Sequence, residues 1–234
     1  MLDALTGHLR SLESERGGVL GVLPGLVAGD AAGWTPVSEL VREPYDKLLA
    51  LVDETADRWK APRHVGAALL WKTYGYWHTM PMVLGWALGR RVPLMRFADT
   101  LVRPSAAGVT IAATAVTVAV RPDDPVAGEP GTLVVPDLPG VIRQALLDGQ
   151  RPLITALGAV ARVGDRILWG STAEAVVHPL LDLGPYAEAA RLLERIGPPV
   201  AGLVTADGEG YRRRTCCLWV TLPDADACST CCVR

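Results

Sequence analysis

The sequence predicts an α+β fold: a helix-rich main domain with a small antiparallel sheet, followed by a C-terminal cysteine-rich segment. Three observations carry that expectation. Apolar residues recur at helical spacing in stretches that open at proline and close at glycine. A β-branched run from Val109 to Val120 interrupts the helical pattern. All five cysteines of the 234-residue chain stand between Cys216 and Cys232.

Leu2, Leu5, Leu9 and Leu12 predict an amphipathic N-terminal helix that stops at Gly17-Gly18. The Gly-rich apolar segment that follows, to Gly33, reads as a buried loop or short turns. Thr35-Pro36 and Glu43-Pro44 each open a helix with proline in its first turn. The second helix runs toward Trp59, with Leu48, Leu51, Val52 and Thr55 on one side. Pro62 introduces the most aromatic stretch, His64 to Arg91, expected as a packed helical hairpin: a helix to about Met80, a break at Pro81 and a shorter helix ending near Gly89. Leu94 to Phe97 and Val109 to Val120 read as strands, and Thr132 to Val135 is expected to pair with the latter across Arg121-Pro-Asp-Asp-Pro. Further helices are expected from Pro139 to Gly149, from Pro152, from Arg166 to Leu181 and from Pro185 to Gly197. Val200 to Thr205 predicts a strand and residues 206–210 a turn. The main domain is thus 1–210, helical to about residue 92 and sheet plus helices over about 93–210; residues 211–234 form the cysteine segment.

Half of the residues are apolar, enough for a sizeable core, and a net charge of −2 exerts no general pull on nucleic acid or anionic lipid. The apolar run Val19 to Ala28 contains Gly21, Pro24 and Gly25 behind mixed charges, a poor export signal. Lys72 and His78 interrupt another apolar stretch, and the run from Ala106 to Val120 is too short to span a bilayer as a helix. A cytoplasmic protein with no transmembrane segment is expected. No G-x-G-x-x-G follows a strand and no phosphate-binding loop occurs, so electrons for any redox step come from a separate donor. His8, His64, His78 and His178 share no metal-binding spacing.

The chemistry therefore concentrates in CCLWVTLPDADACSTCCVR. Five bunched cysteines close no long disulfide loop, which points to a reducing compartment and thiolates on a metal. Structural zinc favours two C-x-x-C knuckles, and only Cys228 and Cys231 form one. Adjacent residues of an extended strand point to opposite faces, so Cys216 and Cys217 approach a single ion badly. A binuclear iron–sulfur centre accepts ligands over a wider footprint, and the spacing favours it over zinc, with a disulfide or unliganded thiols third. Arg212, Arg213, Arg214 and Arg234 flank the cysteines and suit docking of an acidic substrate or donor, against the plainer reading of a solvated basic stretch beside Asp207, Glu209, Asp224 and Asp226.

The run C-C, ten residues, C-x-x-C, preceded by Arg212-Arg213-Arg214-Thr215 and containing Leu222-Pro223, resembles the [2Fe–2S] signature of the FhuF-like ferric-siderophore reductases. Arg166-Ile-Leu-Trp-Gly-Ser-Thr-Ala resembles that family's R-x-x-W-x-N-x-A stretch, with Ser171 where asparagine is common. The resemblance implies a [2Fe–2S] cluster on Cys216, Cys217, Cys228 and Cys231; Cys232 departs from the family's pattern and is expected to be inert, against the alternative of a spare that substitutes under oxidation. It implies an oxidoreductase that frees iron by one-electron reduction of a ferric siderophore, fed by a ferredoxin, a reductase or a small reductant. An iron–sulfur electron-transfer, accessory or redox-sensing protein, and a structural zinc protein, are the alternatives.

Overall fold

The computed structural model describes residues 1–233; Arg234, expected to flank the cysteines, lies outside the described residues. Helix α1 (Asp3–Glu15) leads to strand β1 (Val22–Val27), strand β2 (Thr35–Pro36), a single turn α2 (Val37–Leu40) and helix α3 (Asp46–Arg58). Next come α4 (Arg63–Gly89), β3 (Val92–Leu94), β4 (Thr100–Ser105), β5 (Gly108–Ala113), β6 (Thr117–Val120) and β7 (Thr132–Val134). Helices α5 (Leu138–Ala161), α6 (Asp165–Val177) and α7 (Tyr186–Ile196) follow, then the hairpin β8 (Val204–Asp207) and β9 (Gly210–Arg213). The architecture is helix-rich α+β, as expected, and among the described residues no helix is long and apolar enough to cross a membrane.

Helix α4 is the axis of the molecule. It packs on α1, α3, α5, α6, β3 and β5. Between Val65 and Gly85 only Lys72, Thr73 and Tyr76 escape full burial. A helix enclosed on every side carries no one-sided apolar stripe, so its periodicity is faint in the sequence.

The expected break at Pro81 does not occur, and the hairpin is one helix of 27 residues. A proline in mid-helix removes one backbone hydrogen bond and costs about 3 kcal/mol. Here Met80, Met82, Val83 and Leu84 are all buried around it, and burying each such side chain returns roughly 1.5–3 kcal/mol. Packing wins over the local break. The same holds at Pro152, which lies inside α5 rather than starting a new helix. The start of α5 is set by Asp137, whose Oδ2 accepts the Gly140 N–H at 3.1 Å.

The strands form two small mixed sheets and one hairpin instead of a single antiparallel sheet. One sheet has the order β1-β5-β4-β2, with β1 parallel to β5 and the other pairs antiparallel. The other is β3-β6-β7, antiparallel at β3/β6 and parallel at β6/β7. The run Val109–Val120 therefore divides between β5 in one sheet and β6 in the other. Residues 121–131 carry the chain back far enough for β7 to run alongside β6, where a tight hairpin would have reversed it. The segment read as buried turns holds β1, which hydrogen-bonds along β5.

Candidate functional site

The cysteine segment is pinned to the body of the protein through β9. Strand alternation turns Tyr211 and Arg213 inward and leaves Arg212 at the margin. Arg212 bonds Asp207 Oδ2 at 2.9 Å, and Arg214 is exposed. Of the three described arginines among those expected as docking charges, Arg213 is thus committed to the interior, with 2 % of its surface exposed. Its guanidinium donates to Glu174 Oε2 at 2.8 Å and to Ser171 Oγ at 2.9 Å, both on α6. Ser171, standing where the family resemblance has asparagine, is therefore a hydrogen-bond acceptor.

Glu174 takes a second cation and two hydroxyls besides Arg213. Lys72 of α4 reaches its Oε2 at 3.2 Å, and Thr230 Oγ1 donates to its Oε1 at 3.1 Å. Tyr211 OH lies 3.5 Å from the same oxygen and 3.3 Å from His178 Nδ1. Burial acts against the carboxylate, but Arg213, Lys72 and the hydrogen bonds outweigh it and hold the carboxyl below its ordinary range. A buried charge persists where it is paired and hydrogen-bonded, and Glu174 is both.

Thr230 joins this cluster to the cysteines. Its Oγ1 lies 3.7 Å from Cys228 Sγ, and its carbonyl accepts the Arg213 N–H at 2.9 Å. The chain between the two cysteine groups packs Leu222 against Val65 and Leu69 of α4. Trp219 sets its ring edge-on to Trp59 at 4.9 Å. On the other side Thr215 lies flat on α6 at Gly170, where a Cβ would overlap the Thr215 hydroxyl. Cys217 and Cys231 are buried, and Cys216, Cys228 and Cys232 are partly so.

All five cysteines are free thiols. They fall in two electrostatically coupled sets: Cys228 acts on Cys217, and Cys216 and Cys231 act on Cys232. Burial pushes the Cys217 thiol up, opposed by Lys72, Arg213 and the Trp219 N–H. Burial, then Cys216 and Cys231, push Cys232 up as well. The Leu218 N–H donates to Cys216 Sγ at 3.3 Å, made possible by Leu218 in the left-handed region at φ 65°. Among the described residues no three His, Cys, Asp or Glu side chains converge as ligands of one metal ion. The donor set itself suits a thiolate-held group: soft sulfurs in excess of four, backbone N–H donors on three of them, and cations behind.

Beside this segment opens a cavity of about 530 Å³. Its walls come from α3, α4, α6, the β4–β5 turn and the stretch Cys228–Thr230. Lys72, Thr73 and Tyr76, the three residues of α4 that escape full burial, all face it. The cavity, Glu174 and Thr230 were not singled out from the sequence. The one available signal was charge in apolar surroundings: Lys72 inside α4 and Glu174 before Ala175-Val176-Val177.

No family model and no curated protein matches the chain.

Proposed function

We propose that the chain is a [2Fe–2S] ferric-siderophore reductase of the FhuF-like kind. Cys216, Cys217, Cys228 and Cys231 would be the cluster ligands, and the ferric chelate docks in the cavity that Cys228 borders. One juxtaposition carries the reading: a site of ligand size, about 530 Å³, has a proposed ligand cysteine in its wall. When bound, the cluster supplies single electrons, and one electron turns hard, oxygen-caged Fe(III) into Fe(II), which such chelators hold far less tightly.

The chain's own residues bind and position. Lys72, Thr73 and Tyr76 form the floor on which a chelate rests beside Cys228. Leu222, packed on Val65 and Leu69, and the Trp59–Trp219 contact anchor the cysteine loop to the body of the protein. Glu174 and Arg213 fix Thr230, and with it the Cys228 end of the loop. The Leu218 N–H and the Lys72 and Arg213 charges offset negative charge gathered on sulfur. No general acid, base or nucleophile is called for. Electrons come from a separate ferredoxin, reductase or small reductant, and a reducing cytoplasm is the matching compartment.

Protein purified without air decides the matter. The expected material is red-brown, gives a [2Fe–2S] EPR signal after dithionite reduction, and is reoxidised by ferric chelates with Fe(II) trapped by a chromogenic chelator. Colourless protein carrying stoichiometric zinc overturns the proposal in favour of a structural metal site. A reduced cluster inert to every ferric chelate overturns it in favour of an electron-transfer or sensing role.

A further inference from the structure

A second cavity, of about 400 Å³, opens at the far end of α4 from the cysteine loop. Trp86 in its wall stands almost five turns along the helix from Leu69, on which that loop packs, a separation of roughly 25 Å at the rise of an α-helix. Four arginines from three parts of the chain converge on this cavity: Arg90 at the C-terminal cap of α4, Arg121 directly after β6, and Arg191 and Arg195 one turn apart on α7. Arg121 gives its Nε to Asp123 at 3.0 Å, and Arg195 one Nη to Asp137 at 3.4 Å. All four of those side chains are more than half exposed, so each pair is weak and each guanidinium keeps most of its N–H donors. Asp137 is further committed to the start of α5 through its other oxygen. Arg90 lies over the Trp86 ring, 4.1 Å from its centroid. Among the described residues neither Arg90 nor Arg191 has a carboxylate within ion-pair distance. Glu188 is the one carboxylate of the lining. Setting Asp123, Asp137 and Glu188 against the four guanidiniums still leaves positive charge in excess.

We infer that this cavity binds a small organic phosphate, at a site separate from the cysteine segment and independent of the reaction proposed there. A guanidinium is a planar fork that grips two oxygens at once. Forks arriving from separate elements suit a tetrahedral dianion, which offers oxygens in several directions, whereas one fork already satisfies the single edge of a carboxylate. Arg90 and Arg191 supply the uncompensated charge, and Arg121 and Arg195 can turn to the ligand by giving up weak surface pairs. The volume falls within the range of small-molecule sites, and Trp86, Leu138 and Leu192 give the organic part an apolar wall.

Isothermal titration calorimetry of the full chain at fixed ionic strength separates head group from body. Phenyl phosphate is expected to bind one saturable site with a Kd below about 1 mM. Benzoate, which carries the same ring on a carboxylate, is expected to bind at least about tenfold more weakly, and inorganic phosphate, lacking the ring, more weakly than the ester. Arg90→Gln and Arg191→Gln, both at exposed positions, each weaken phenyl phosphate about tenfold without moving the melting temperature. Arg10→Gln, which removes the same charge from the exposed face of α1, changes the affinity by no more than about twofold. Absence of a site tighter than about 1 mM overturns the inference. So does benzoate binding as well as phenyl phosphate, free phosphate binding where the ester does not, or an Arg10 variant that loses as much affinity as the other two.

Discussion

At the scale of single residues the site rests on Arg213 and Glu174. A guanidinium with 2 % exposure is retained only because Glu174 and Ser171 accept from it. Arg213→Met removes the deeper of the two cations on Glu174 and leaves Lys72 alone to offset a buried carboxylate. The expected loss is about 3 kcal/mol in urea denaturation, and adding Glu174→Gln restores part of it, because the one charge then left without its partner, on Lys72, is partly exposed to water. If the double variant is no more stable than the single one, charge compensation is not what Arg213 provides. The cysteines are separable by spectroscopy. Cys228→Ser abolishes or strongly alters the visible absorption of protein purified without air, and Cys232→Ser leaves it nearly unchanged. Loss of the chromophore in the Cys232 variant would show that the proposed ligand set is wrong. The five thiols were legible as the candidate centre because cysteine clustering is rare in a sequence. Glu174 and Thr230 were not, because their roles depend on α6 and the C-terminal loop meeting across dozens of residues.

At the scale of elements, α6 is the bed on which the cysteine segment lies, and Gly170 sets how closely it approaches. A Cβ there would overlap the Thr215 hydroxyl. Gly170→Ala gains helix propensity worth about 1 kcal/mol but forces the segment outward. The expected net result is a loss of about 1–3 kcal/mol in thermal unfolding, together with faster proteolysis after Arg214. Thr215→Ala removes the obstructing oxygen and methyl but keeps a Cβ 2.9 Å from the new one, so the double variant should recover part of that loss. Failure to recover would mean that the contact is not the constraint. Elements whose ends carry their own chemistry were readable, such as α7 between Pro185 and Gly197. Those set by neighbours were not. The continuity of α4 through Pro81 and of α5 through Pro152 follows from burial on all sides, and the parallel pairing of β7 follows from the path of residues 121–131.

At the scale of the whole molecule, buried titratable groups make the fold sensitive to acid in two separate windows. The core around α4, α5 and α6 holds a polar chain: Thr172 Oγ1 donates to Gln150 Oε1 at 2.8 Å, and Gln150 Nε2 reaches Thr79 Oγ1 at 2.9 Å and His78 Nδ1 at 3.2 Å. His78 is 1 % exposed, and burial pulls its pKa from 6.5 down to about 4. The unfolded chain therefore binds a proton that the folded chain refuses between those values, so stability falls as pH drops through that window. The shift corresponds to about 3 kcal/mol when fully expressed. Glu174 acts lower on the scale: its folded carboxyl is held below the ordinary value of 4.5, so its contribution is present above that value and is lost on further acidification. The melting temperature should be nearly level above pH 7, decline from about 6.5 to 4, and steepen below that. His78→Leu loses the Gln150 contact and lowers stability at neutral pH, yet it should flatten the first decline while leaving the second. A His78→Leu protein that keeps the full slope between pH 6.5 and 4 would assign that acid lability to other groups.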